Sequence, residues 1–146
     1  MMEKIKIKFL RPRAQMPTYG TEYAAGADLY ACLEDTVTIQ PGETVKIPIG
    51  IALELPENTA GLIFARSSLG TKRGLAPANK VGVIDPDYRG EVMVMLHNHS
   101  KTEAQIAPGE RVAQLLVVPV FTPGFIAADT LSDTVRGEGG FGSTGK

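Results

Sequence analysis

Cysteine is nearly absent: Cys32 is the only one in 146 residues. A single thiol forms no internal disulfide and no cysteine-rich zinc site. No base is signalled for it either, so a Cys/His nucleophile is not a credible reading. Tryptophan is missing and aromatics make up 6 % of the chain, which removes the stacking platform of a single-strand binder. Basic residues are not in excess, and a formal charge of −1 argues against a general nucleic-acid binder. No apolar run approaches membrane-spanning length. Met1-Met2-Glu3-Lys4-Ile5-Lys6 has no signal-peptide core. Long amphipathic helices and repeats of about 20–50 residues are lacking too. These absences leave a cytoplasmic protein without a nucleic-acid or membrane partner. Its length suits one domain, residues 1–146, that buries about two-thirds of its unfolded surface.

Turn-formers are plentiful instead. Sixteen glycines and ten prolines separate short β-prone runs, the pattern of an all-β sandwich or barrel. Ile5, Ile7 and Phe9 alternate with lysines and predict a half-buried strand. Residues 11–23 read as a loop and Ala24–Ala31 as an extended run. Thr36–Ile39 and Glu43–Ile47 flank the turn Gln40-Pro41-Gly42. Ile49–Leu55, Ala60–Ala65 and Gly109–Val118 complete the predicted strands. The pattern dissolves from Thr122, and Arg136–Gly145 is too glycine-rich to pack. The expected division is a β core over about 1–125 and a flexible glycine-rich arm over about 126–146.

Chemistry is densest in Asn79-Lys80-Val81-Gly82-Val83-Ile84-Asp85-Pro86-Asp87-Tyr88-Arg89-Gly90. It reads as strand, tight turn, strand, with Glu91–Leu96 as the second arm of a hairpin. A turn needs Gly, Pro or Asp for backbone reasons. It does not need Tyr88, which makes the tip either a site or a lid on an apolar patch. Arg66-Ser67-Ser68, where a strand ends, suits a phosphate at a helix start or a simple cap by Ser67 or Ser68.

Other polar positions divide in the same way. Asp28, in an apolar run, requires a partner: an arginine, backbone donors or a metal-bound water. Gln114 among Val112, Ala113 and Leu115 is most simply an outward-facing strand residue. Arg136–Lys146 matches a dinucleotide fingerprint and most of a P-loop, and fails both because no strand–helix unit follows. Its glycines, Ser143, Thr144 and Arg136 still suit an anion, and Phe141 has no apolar neighbour. A tail with incidental polar residues is the alternative. His97 and His99 lack a third metal ligand at a sensible spacing. Asn98-His99-Ser100 is a glycosylation pattern without relevance in a cytosolic chain. Glu91 and Glu110 read as solvated charges.

Five stretches in order are together similar to the motifs of the trimeric dUTP pyrophosphatase family. They are Ala25-Gly26-Ala27-Asp28-Leu29, Arg66-Ser67-Ser68, Gly82–Gly90, Gly109-Glu110-Arg111-Val112-Ala113-Gln114-Leu115, and Arg136–Gly145. The resemblance spans the chain, and no motif position departs from the pattern. It implies a distorted, jelly-roll-like β-barrel forming a homotrimer with active sites between subunits. It implies Mg²⁺-dependent hydrolysis of dUTP to dUMP and pyrophosphate, which limits uracil in DNA and supplies dUMP for dTMP synthesis.

Roles carried over from the family fall on named residues. Asp85 would activate the water that attacks the α-phosphorus. Arg66, Ser67, Ser68 and Gln114 would bind phosphate oxygens, with Gln114 also near that water. Asp28 would hold a water on Mg²⁺, an ion that keeps much of its hydration. Asn79, Gly82, Val83 and Ile84 would read uracil, and Tyr88 would pack on the deoxyribose and exclude a 2′-hydroxyl. Phe141 would stack on the base while Arg136, Ser143 and Thr144 close over the phosphates. A dCTP deaminase of the same superfamily is disfavoured, because Met95 stands where those enzymes carry a proton-transferring Glu. A nucleotide sensor without turnover is disfavoured by Asp85, Asp28 and the complete tail.

Overall fold

The structure is a computed structural model that describes residues 4–145. Met1–Glu3 and the Lys146 of the P-loop-like pattern lie outside the described residues. The N-terminal alternation forms β1 (Lys6–Phe9), in which Ile7 is half-buried but Phe9 stays half-exposed. A two-residue strand, β2 (Thr18–Tyr19), interrupts the expected loop, and β3 is confined to Ala27–Tyr30. β4 (Val37–Ile39) and β5 (Thr44–Pro48) flank the Pro-Gly turn, where Gly42 takes φ 79°. Then come β6 (Ile51–Glu54), β7 (Thr59–Phe64), the helix α1 (Ser67–Lys72), and β8 (Leu75–Pro77). β9 (Gly82–Ile84), β10 (Met93–Asn98), β11 (Ala104–Ile106) and β12 (Arg111–Pro119) complete the described elements.

All ladders are antiparallel. A five-stranded sheet has the order β2-β3-β12-β7-β9, and a three-stranded sheet the order β5-β10-β8. Two-stranded ladders join β1 to β6 and β11 to β4. The expected all-β class holds. The sheets are not closed into a barrel, however, since β2 and β9 remain the edges of the largest sheet.

One core draws on every sheet. Leu29, Ile39, Ile47, Ile51, Leu96, Ile106 and Val112 are essentially inaccessible, each burial contributing about 1.5–3 kcal/mol. β10 shows the cause most directly: Val94 and Leu96 point inward while Met93 and Met95 point out.

Two expectations are corrected here. The strand expected over Ile49–Leu55 is shortened to β6 (Ile51–Glu54) and does not continue from β5, because Gly50 at φ 77° turns the chain from the sheet of β5 to the ladder of β6. The left-handed backbone favours glycine, and a Cβ there would also meet Cys32 Sγ at 2.7 Å. Nor is Gly82–Leu96 a hairpin. β9 pairs with β7, whereas β10 pairs with β5 and β8. Residues 85–92 therefore cross between two sheets, and alternation could not reveal this because it reports which face is buried and not which strand is the partner.

Candidate active site

The crossover encloses a cavity of about 360 Å³. Its walls include Asn79, Gly82, Val83, Ile84, Asp85 and Tyr88, all expected from the sequence, together with Ile63, Glu91 and Met93. The approach is a tight turn: Lys80 sits at φ 68°, its N–H donates to the Pro77 carbonyl at 2.9 Å, and Val81 N–H donates to Asn79 O at 2.8 Å. A non-glycine residue at that φ carries strain, and such strain gathers at functional sites. Gly82 pairs with Ile63, where a Cβ would lie 3.3 Å from the Ile63 Cβ and 3.6 Å from Asn79 Nδ2. Past β9, Tyr88 N–H donates to Asp85 O at 3.1 Å and Arg89 Nη1 to Pro86 O at 2.6 Å. The Asp85 carboxylate is left exposed at the cavity wall.

Glu91 is not the solvated charge the sequence suggested. Its carboxylate accepts from Arg11 Nε at 2.7 Å and Nη2 at 3.2 Å. This two-point bond, and then the charge of Glu91, raises the Arg11 guanidinium above its ordinary range.

A second cluster forms at the centre of the five-stranded sheet. Asp28 is buried on β3, opposite Gln114 on β12. Its Oδ1 accepts from Arg66 Nε at 2.8 Å and its Oδ2 from Arg111 Nη1 at 3.3 Å. Of the partners the sequence left open, these are arginines, and two of them. Gln114 is half-buried, not outward-facing, and its Nε2 donates to Ala65 O at 2.9 Å.

Arg66, not Ser67 or Ser68, is the N-cap of α1, and no side chain caps the helix. Both serines are exposed in its first turn. Glu110 corrects the sequence reading a second time. It pairs with Arg73 just past α1, and its Oε2 accepts from Ala107 N–H at 2.9 Å.

The described part of the tail contributes to neither cluster within the chain. Arg136 Nε donates to Gly139 O at 2.6 Å, Ser143 N–H donates to Gly140 O at 3.1 Å, and Phe141 is fully exposed. A larger cavity, about 1040 Å³, holds none of the expected functional residues. It is an apolar groove lined by Ile5, Ile7, Tyr19, Leu115 and Val117 among others, so volume alone is a poor guide here.

The model of the dUTPase family matches residues 12–145. This chain belongs to the dUTPase family. Relatives named deoxyuridine 5′-triphosphate nucleotidohydrolase include that of Desulfitobacterium hafniense, 50 % identical over 145 residues (97 % of this chain and 96 % of the relative). That of Burkholderia ambifaria is 48 % identical over 143 residues, 97 % of either chain. Among solved dUTPases, that of Staphylococcus bacteriophage 80alpha with dUpNHpp has a TM-score of 0.91 at 28 % identity, covering 99 % of this chain and 100 % of its own. A mutant dUTPase from phage phi11 of S. aureus, whose structure details the coordination of a structural Mg(II) ion, has a TM-score of 0.80 at 25 % identity. That match covers 88 % of this chain and 98 % of the phage protein.

Within this dUTPase fold, sequence reasoning gave no role to Arg111, Arg11 or Gly90. The need of Asp28 for a partner was a signal for Arg111, but spacing could choose neither the kind of partner nor one among the arginines. Arg11 and Glu91 lie 80 positions apart, and only the folded chain brings them together.

Proposed function

We propose that the chain hydrolyses dUTP to dUMP and pyrophosphate, as a homotrimer whose sites are shared between subunits. The cavity at the crossover carries this reading, because it holds the expected uracil and sugar residues and the expected base on one short segment. Asp85 takes a proton from water as its oxygen bonds the α-phosphorus, the α–β anhydride bond breaks, and pyrophosphate departs. The main chain at Gly82 and Val83 and the side chain of Asn79 read the uracil edge, with Ile84 beside them, and Tyr88 meets the deoxyribose. Arg66 engages Asp28 through Nε, which leaves its Nη groups for phosphate oxygens. Ser67, Ser68 and Gln114 add donors to those oxygens, and Gln114 also serves the attacking water.

The residues fit a Mg²⁺ held through water. Each Asp28 oxygen accepts one N–H and keeps a further lone pair, while two guanidinium groups already more than offset its charge. Among the described residues no three His, Cys, Asp or Glu side chains gather as a cage. A hydrated ion carried mainly by the triphosphate suits that arrangement. When bound, Mg²⁺ offsets charge building on the phosphate oxygens.

Self-assembly is supported by what one chain leaves incomplete. The arginine cluster and the tail do not line the uracil cavity, and Phe121, Phe125, Ile126, Leu131 and Val135 are almost wholly exposed. Apolar surface of this extent marks an interface, and the groove beside β1 and β12 offers further apolar wall. We read residues 1–125 as the body and 126–146 as an arm that closes over another copy's site, with Phe141 on the base and Arg136, Ser143 and Thr144 on the phosphates. Among the described residues no helix is long and apolar enough to cross a membrane. The free, buried Cys32 suits the cytoplasm, where thiols stay reduced.

Pyrophosphate release from dUTP, dTTP, dCTP and UTP, each with Mg²⁺ and with a chelator, tests the reading. Fast Mg²⁺-dependent release from dUTP alone is expected. Release from none would move the chain to the nucleotide-binding class, and ammonia from dCTP would make it a deaminase.

A further inference from the structure

Gly90 ends the cavity segment with an ordinary backbone. Its φ is not in the left-handed region, so nothing in the main chain demands glycine there. The obstacle to a side chain is Tyr88. A Cβ built on Gly90 would lie 2.5 Å from Tyr88 Cζ and 2.9 Å from Cε2, with Oη nearer still. The tyrosine ring therefore occupies the space that any other residue at position 90 would fill.

Its far end is fixed as well. Tyr88 Oη donates to the Glu91 carbonyl at 3.0 Å, and the Glu91 carboxylate is held at two points by Arg11. Tyr88 is 45 % exposed. A tyrosine so open to solvent would normally sample several rotamers. This one is confined by an absent side chain on one side and a tethered acceptor on the other.

We propose that Gly90 is a specificity-determining residue of the dUTP site. By lacking a side chain it seats the Tyr88 ring, and the Glu91 carbonyl fixes the hydroxyl. The sugar wall then stands at one place and leaves no space for a 2′-hydroxyl. The inference rests on the reading that Tyr88 packs against the deoxyribose. Gly90 itself is a positioning residue, acting through that ring.

The test compares kcat/KM for dUTP and UTP in wild type, Gly90→Ala, Tyr88→Ala and the double variant, with Tm measured for each. In Gly90→Ala the ring must swing away and lose its bond to Glu91. The dUTP preference should fall by about 10–100-fold, the scale on which pocket shape discriminates a hydroxyl. Tm should hold within about 3 °C, because a surface ring moves and no core atom does. The double variant should match Tyr88→Ala. If Tyr88→Ala lowers the preference and Gly90→Ala does not, the inference fails and the sugar reading stands. If Tyr88→Ala leaves the preference unaltered, the sugar reading fails and the inference with it. A double variant less selective than Tyr88→Ala would overturn the inference by showing that Gly90 acts by another route.

Discussion

Gln114 lies in the ladder between Asp28 on β3 and Phe64 on β7, and its amide is oriented from two directions. Nε2 donates to Ala65 O, while Gly26 leaves space for Oε1, which a Cβ at position 26 would meet at 2.5 Å. Gly26→Ala should therefore rotate the amide away from the place proposed for it near the phosphates. A misplacement of about 1 Å at a reacting centre costs on the order of 10²-fold in rate, so kcat should fall by that factor with a smaller change in KM. Steady-state kinetics on Gly26→Ala, Gln114→Ala and their combination decide the matter: full turnover in Gly26→Ala, or further loss in the combination, would refute the link. That Asp28 needs a partner was legible, because a carboxylate among apolar residues must be compensated, but the choice of arginine over backbone donors or a metal-bound water was not. Glu91 and Glu110 were not legible. Glutamates flanked by turn residues look solvated until the fold delivers Arg11 and Arg73 from elsewhere in the chain.

Strand positions were largely legible, since alternation and turn residues are local. The runs at 36–39, 43–47, 60–65 and 109–118 each hold a strand within a residue or two. β2, β8 and β11, of two or three residues, are too short to show a period. Pairing was not legible, and the supposed hairpin is the consequence: the apolar runs on either side of Asp-Pro-Asp belong to different sheets. One residue that secures such a junction was read only as part of a glycosylation pattern. Asn98 ends β10 fully buried, donating from Nδ2 to Ile39 O at 2.9 Å and Thr102 O at 2.8 Å. Its Oδ1 accepts from Ser100 N–H at 3.0 Å and Ser100 Oγ at 2.7 Å. The amide thus fastens β4 to the turn before β11, and its burial leaves no route for a glycan. Asn98→Ala would strand several of these groups and destabilise by about 3 kcal/mol. Thermal melts should show a fall of about 10 °C; a melt at the wild-type temperature would mean that water replaces the amide without loss.

Across the whole molecule, the cavity, the arginine cluster and the arm are three parts of one expected site that a single chain keeps separate. Among the described residues, the arm from Arg136 onward places no buried apolar side chain in the core. Removing residues 136–146 should therefore abolish most turnover while Tm holds within about 3 °C; a large drop in Tm would instead make the arm part of the body. The proposed sharing between subunits has a sharper consequence. Arm-deleted chains carry Asp85, and Asp85→Asn chains carry the arm, so each variant alone should be inactive for a different reason. Turnover of Asp85→Asn alone should be lower by about 10² or more. Unfolding and refolding the two together in equal amounts scrambles the subunits. If base and arm come from different chains, about one site in four then receives both from intact donors, and about a quarter of wild-type turnover returns. If both come from one chain, no mixed site is complete and the mixture stays as inactive as its components. Pyrophosphate release after co-refolding therefore separates a shared site from a self-contained one without altering any residue beyond the two already changed.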